Sequence, residues 1–255
     1  MDQKLTFNNY QYDSSMITNL NRILLFTMFC YGILCLLACN DKPDPKKEVV
    51  KEAPKTSEIA NNNSEKQKKK KSIMFFGDSL TAGYGLSEEE SFPSLVQKRI
   101  DSLGLSYQVI NAGLSGETSA GGLGRIDWVL QQPVDIFVLE LGANDMLRGL
   151  ALDNTKENLD QIIDKVKSSY PQAEIVITGM QSPPNMGKDY SSGFNNMFGS
   201  IAKNYNASFI PFLLDGVAGN PDLNLPDGKH PNASGQKIVL ENVWSIISPL
   251  LQKQI

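Results

Sequence analysis

The chain has 255 residues, 41% of them hydrophobic and 8% aromatic, ordinary values for a globular protein that exclude collagen-like, coiled-coil and wholly disordered classes. Formal net charge is −4, and residues 73–255 hold twelve Lys and Arg against twenty Asp and Glu, which argues against nucleic acid as a partner because phosphate contacts need a basic surface. All three cysteines lie at or before Cys39 and His230 is the sole histidine, so residues 40–255 can hold neither a disulfide framework nor a thiolate metal site, and no metal is expected.

Ile23 to Ala38 is apolar apart from Thr27, Tyr31 and Gly32. The run is shorter than the ~20 residues of a spanning helix and follows Arg22, the pattern of a signal-peptide core. Its end, Leu36-Leu37-Ala38-Cys39, resembles the lipobox of bacterial lipoproteins. That resemblance implies cleavage before Cys39, lipidation of its thiol, and a chain anchored to a membrane of the bacterial cell envelope. An uncleaved signal anchor is the alternative. Asp2 and Asp13 precede the core where a net-positive region belongs, so translation is expected to start at Met16. Residues 40–72 carry ten Lys against six acids and almost no large apolar side chains, the composition of a disordered charged linker. Its end, Lys68 to Lys71, is a solvated tether or a contact for anionic lipid.

From Ile73 the pattern alternates between short apolar runs and longer periodic ones. Strands are predicted at Ile73–Phe76, Tyr107–Ile110, Asp135–Leu141, Glu174–Thr178 and Ser208–Phe212. Helices are predicted at Ser91–Leu103, Thr118–Gln131, Asn154–Ser169, Phe194–Tyr205 and Asn232–Leu250. In Asn154–Ser169, Leu159, Ile162, Ile163 and Val166 recur at helical spacing. Such alternation implies an α/β domain over 73–255 with a five-stranded parallel sheet covered on both faces. Asn232 is expected to cap the final helix.

In open α/β sheets ligands bind beyond the carboxyl ends of the strands. The segments there are Gly77-Asp78-Ser79-Leu80, Asn111-Ala112-Gly113, Gly142-Ala143-Asn144-Asp145 and, after the fifth strand, Asp227-Gly228-Lys229-His230-Pro231-Asn232. A serine hydroxyl is a weak nucleophile unless a base takes its proton. His230 is the one imidazole available, and that group suits a general base at neutral pH. Asp227, three residues earlier, can orient the ring and stabilise the imidazolium; Asp215 and Asp222 are rival acids. The backbone N–H groups of Ser79 and Gly113 and the Asn144 amide can supply an oxyanion hole. Asp78 is open between ordering the Ser79 turn and capping a helix.

These four blocks, in this order, resemble the SGNH (GDSL) hydrolase family over nearly the whole of residues 73–255. The longer strings Gly-Asp-Ser-Leu-Thr-Ala-Gly-Tyr-Gly, Leu-Gly-Ala-Asn-Asp-Met-Leu-Arg-Gly and Pro-Pro-Asn-Met-Gly are similar to its arylesterase, thioesterase I and lysophospholipase L1 branch. The resemblance implies a flavodoxin-like three-layer αβα sandwich, no cofactor, a Ser79–Asp227–His230 triad, and an oxyanion hole from Ser79, Gly113 and Asn144. The Gly-x-Ser-x-Gly elbow of α/β-hydrolases is absent around Ser79. The implied reaction is hydrolysis of carboxylic esters or thioesters through an acyl-enzyme, with small-molecule or lipid esters as substrates. A carbohydrate O-deacetylase and a non-catalytic lipoprotein binding module are the alternatives. Met180 to Phe198 is expected to wall the acyl side through Met186, Tyr190, Phe194, Met197 and Phe198, or to pack the last three in the core.

Overall fold

The structure, a computed structural model, describes residues 70–253. The signal segment, Cys39, Met16 and all but the end of the linker therefore lie outside the described residues. Among those described, no helix is long and apolar enough to cross a membrane.

Five strands form one parallel sheet in the order β2-β1-β3-β4-β5: β1 (Lys71–Gly77), β2 (Tyr107–Gly113), β3 (Ile136–Glu140), β4 (Glu174–Thr178) and β5 (Ser208–Ile210). That is the flavodoxin-like order, and its reversal between β1 and β3 opens a crevice at the carboxyl edge. The strands are central because their side chains are apolar on both faces. Residues 73 to 76 of β1 and 136 to 139 of β3 are all buried.

Seven helices cover the sheet within the described residues: α1 (Ser79–Ala82), α2 (Phe92–Ser102), α3 (Ser119–Val129), α4 (Ala143–Leu147), α5 (Leu152–Ser169), α6 (Lys188–Asn204) and α7 (Ala233–Lys253). Helices α2 and α7 pack on each other, as do α3 with α5 and α5 with α6, giving a helical layer on each side. In α5 the predicted stripe Leu159, Ile162, Ile163 and Val166 is the buried face. The buried Gln236 side chain of α7 accepts the Phe92 N–H of α2 at 2.9 Å, closing one helix end with another helix. Asn232 caps α7: its Oδ1 accepts from the N–H groups of Ser234 and Gly235.

Several boundaries depart from the pattern-based expectation, among them those of β1, β2 and α6. Strand β1 begins at Lys71 because the Lys71 N–H donates to Ser106 and the Ser72 N–H to the Asp135 carboxylate, polar bonds that hydropathy does not report. Strand β2 runs on to Gly113 rather than ending at Ile110, with Asn111, Ala112 and Gly113 paired to Phe75, Phe76 and Gly77. Helix α6 starts at Lys188, six positions before Phe194. The short helices α1 and α4 lie outside the helices predicted from the apolar spacing.

Candidate active site

Ser79 opens α1 at the carboxyl end of β1. Asp78 caps this helix, its Oδ1 accepting the Leu80 N–H at 2.9 Å. Gly83 ends it in the left-handed region at φ 76°, returning its N–H to the Ser79 carbonyl, a conformation that glycine adopts without strain. The turn is therefore short and closed at both ends, and it presents the Ser79 hydroxyl at the strand edge. Asp78 orders the turn and caps the helix at once, the two roles between which its sequence position left it open.

His230 and Asp227 arrive from the long segment after β5. Ser79 Oγ lies 2.8 Å from His230 Nε2, and His230 Nδ1 lies 2.6 Å from Asp227 Oδ2. Asp227 Oδ1 accepts the backbone N–H groups of Lys229 and His230, so the acid is wrapped by its own turn. The hydrogen bond from His230, then that from the Lys229 N–H, holds its carboxyl down to about 2. The carboxylate that reaches the imidazole is thus Asp227's, not that of Asp215 or Asp222. Tyr84 packs against the ring, with centroids 4.5 Å apart.

Asn144 sits in α4, which begins directly after Gly142 (φ 120°) at the end of β3. Its Nδ2 donates to Asp78 Oδ2 and to the Glu117 carbonyl, both at 3.0 Å. Glu117 is in turn held by Arg125, whose guanidinium also lies over the Phe76 ring at 4.2 Å. The neighbouring Asp145 is buried and accepts from the N–H and hydroxyl of Ser119, tying α4 to the start of α3. A cleft of about 820 Å³ runs past these groups, a size suited to a small ligand. Ser79, Asn144 and His230 line it together with Leu80, Met146 and Phe212.

Two expectations need correction. Gly113 does not line the cleft. It ends β2, and its N–H donates to Asn111 Oδ1 at 3.0 Å. A Cβ there would collide with the backbone of Ala82, so the glycine serves close packing. Gly116, three residues on and at φ 80°, lines the cleft instead. The error follows from β2: ending that strand at Ile110 places Gly113 in a loop, whereas sheet pairing carries the chain through it.

Of the two alternatives for residues 180 to 198, core packing of the last three holds, and Met186 and Tyr190 need correction as wall residues. Met180, Gln181, Ser182, Pro183 and Pro184 line the cleft. Phe194, Met197 and Phe198 are core, and Met186 and Tyr190 pack against that core. The helical spacing of the last three residues was a core signal. Tyr84 and Glu140 were not singled out by motif reasoning; Tyr84 stands in the Gly-Tyr-Gly that follows the serine block, and Glu140 in the apolar third strand.

No group of three or more potential metal ligands occurs among the described residues. A relay that can take a serine proton, set beside a cleft with an apolar lining, defines a serine hydrolase of the esterase class. Residues 75–238 match the GDSL-like Lipase/Acylhydrolase family, and the chain belongs to it. It is 38% identical over 181 residues to Esterase TesA of Pseudomonas aeruginosa, covering 71% of this chain and 89% of that protein. It is 33% identical over 181 residues to Thioesterase 1/protease 1/lysophospholipase L1 of Escherichia coli, covering 71% and 85%. Among solved structures, TesA superposes with a TM-score of 0.67 at 37% identity over 71% of this chain and 99% of that one. A psychrotrophic esterase EstA from Pseudoalteromonas, inhibited by monoethylphosphonate, gives 0.67 at 35% identity over 71% and 98%.

Proposed function

We propose that the protein hydrolyses aryl, short acyl or lysophospholipid-type esters, or the matching thioesters, through an acyl-enzyme on Ser79. The observation that carries this reading is the continuous relay Ser79 Oγ, His230, Asp227 with links of 2.8 and 2.6 Å. Ser79 Oγ attacks the ester carbonyl carbon while its proton passes to His230 Nε2. The carbonyl π electrons move to the oxygen. As the tetrahedral intermediate collapses, the bond to the leaving group breaks and the leaving oxygen or sulfur takes the proton from His230. Water then repeats the sequence: His230 takes its proton, its oxygen bonds to the acyl carbon, and Ser79 leaves with a proton from the imidazolium. Asp227 stays ionised throughout and stabilises that imidazolium.

The oxyanion is received by the Ser79 N–H, the Gly116 N–H and the Asn144 amide, with Gly116 in the place first expected for Gly113. The position of Gly116 on the cleft and the sheet bonding of Gly113 support this reassignment. The Asn144 amide is held by Asp78 and Glu117, so it shares or turns one N–H toward the oxyanion as charge develops. Leu80, Met146, Leu147 and Met180 favour an apolar acyl or aryl group, and the names of the relatives, arylesterase and thioesterase/lysophospholipase among them, point the same way.

The lipobox-like sequence supports a lipid anchor on Cys39 and a place at a membrane of the bacterial cell envelope, where lipid esters are at hand. Incorporation of labelled palmitate, lost in Cys39→Ala, checks the anchor. For the activity, p-nitrophenyl esters from acetate to palmitate are assayed with the wild type and Ser79→Ala. The variant is expected to lose at least about 10⁴-fold in kcat/KM while its stability stays within ~1 kcal/mol. Fluorophosphonate labelling is expected to vanish with it. Wild-type rates in Ser79→Ala would remove Ser79 from the mechanism, and no turnover of any ester by the folded wild type would favour a sugar O-acetyl substrate or a binding role.

A further inference from the structure

Glu140 is the last residue of β3 and takes no part in the relay from Ser79 to Asp227. Its side chain is buried at 1% exposure. Oε2 accepts the Asp78 N–H at 3.1 Å and the Thr81 hydroxyl at 2.7 Å, bonds to both sides of Ser79. Oε1 is buried and has no hydrogen-bond partner. The adjacent Asp78 carboxyl is buried too, and its Oδ2 holds the Asn144 amide. Neither acid forms an ion pair with a lysine or arginine among the described residues. The titratable groups that face the pair are each other and, beyond Asp78, His230. A Cβ at Gly77 would collide with Glu140 Oε2 and Thr81 Oγ1, so the glycine makes room for this contact.

An ionised carboxylate with an orphaned buried oxygen and no cation is costly, whereas the neutral acid is much less so. We propose that Glu140 is a positioning residue: a neutral carboxylic acid that braces the Asp78–Thr81 turn under Ser79 and, through Asp78, aims the Asn144 amide. This rests on the reading of Ser79 as nucleophile and Asn144 as oxyanion donor. The electrostatics agree. Burial first, then the charge of Asp78, pushes the Glu140 carboxyl well above the usual range. Burial raises Asp78 to about 6, with hydrogen bonds from Leu80, Glu140 and Asn144 and the field of His230 opposing the rise. Both directions agree with a proton held on Glu140 rather than on Asp78.

An acid whose folded-state pKa is raised favours the folded state fully below its unfolded value, about 4.3, and that contribution is lost as pH rises through the folded value. Glutamine has the shape of the neutral acid and cannot lose a proton. Its oxygen can accept the Asp78 N–H and the Thr81 hydroxyl as Oε2 does, and its amide can replace the acid O–H that a neutral Glu140 offers to the Asp78 side chain.

The test compares wild type, Glu140→Gln and Glu140→Ala in the full chain, reading kcat and KM on p-nitrophenyl butyrate and Tm between about pH 4 and pH 8. Glu140→Gln is expected to keep kcat within about threefold and to melt above wild type at about pH 8, with the gap closing toward about pH 4. Glu140→Ala is expected to lower kcat about ten- to hundredfold with KM near wild type, the cost of a displaced nucleophile and oxyanion donor. Where the alanine variant does not fold, Glu140→Met, which keeps the volume and loses the acceptors, is read in its place. Wild-type kcat in that variant would overturn the positioning role. Glu140→Gln as slow as Glu140→Ala, or melting at or below wild type at about pH 8, would overturn the neutral acid. Retained activity in Ser79→Ala is a separate failure, that of the nucleophile assignment.

Discussion

Two segments meet at the Ser79 hydroxyl, and they are built in opposite ways. The turn from Gly77 to Thr81 is buried and braced from distant parts of the chain: Glu140 from β3, Asn144 from α4, and Asn111, whose amide donates to the Thr81 carbonyl. The segment from Leu225 to His230 lies at or near the surface between the buried Asn224 and Pro231, and it is braced mostly by itself. The Leu225 N–H donates to the His230 carbonyl at 2.7 Å, Asn224 bridges Pro231, and Asp227 binds the N–H groups two and three residues on. The nucleophile is thus placed by the core and the base by local turn chemistry. Changes in the second segment should cost chemistry with little stability, and changes around the first should cost both.

The largest expected effect lies in the self-braced segment. Asp227→Asn keeps the acceptor toward Lys229 and His230 but turns a donor toward His230 Nδ1, selecting the wrong tautomer. It should lower kcat by about 10⁴-fold with only a small loss of Tm, because the carboxylate is largely exposed to solvent. The same bond sets the pH response. Because Asp227 is held to about 2, its stabilising contribution is complete above the ordinary Asp value of about 3.9 and is lost only as pH falls through about 2. Mild acidification should therefore leave the Asp227 carboxylate ionised, and its carboxyl resonance followed by NMR between about pH 7 and pH 3 checks this; a midpoint near the ordinary value of about 3.9 would break the reading.

On the core side, Asn144→Ala should cost about 10²–10³ in kcat, the usual value of one oxyanion donor, with additional loss of stability because Asp78 and the Glu117 carbonyl lose a donor. Steady-state kinetics beside thermal melts would separate the two. A smaller effect of another kind is expected at Gly113. Alanine there collides with the Ala82 backbone and should cost about 1–3 kcal/mol of stability by denaturant titration. A selective collapse of kcat at full stability would return Gly113 to the oxyanion hole and remove Gly116. The smallest effect is expected at Tyr84, which is half exposed and lies over the His230 ring. An aromatic face favours the imidazolium formed in the transition state, so Tyr84→Leu should lower kcat/KM by roughly two- to fivefold, about 0.5–1 kcal/mol, while Tyr84→Phe should not.

The same contrast decides what was legible beforehand. Local chemistry is written in local strings. Asp227 and His230 stand three residues apart, and Asn232 ahead of a periodic apolar stretch announces a helix cap. The apolar runs of β1 and β3 announced buried strands because the strands of a doubly covered sheet are apolar on both faces. Contacts between distant segments have no such mark. Glu140 reads as one polar residue closing an apolar strand until β3 is set beside β1. The extent of β2 beyond Ile110 is set by pairing with β1, and with it the exchange of Gly113 for Gly116 at the cleft. Phe194, Met197 and Phe198 carry the spacing of a helix face, and spacing cannot say whether that face meets a ligand or the sheet.

The amino-acid sequence by itself determined the α/β class, the parallel five-stranded sheet, and the serine and histidine that the fold assembles, with Asp227 foremost among three candidate acids, because hydropathy period and turn chemistry act over a few residues. Tertiary structure alone decided which glycine faces the cleft, which side chains line it, and which buried acid stands under the nucleophile. Those depend on strand register and on the desolvation of groups that are far apart along the chain.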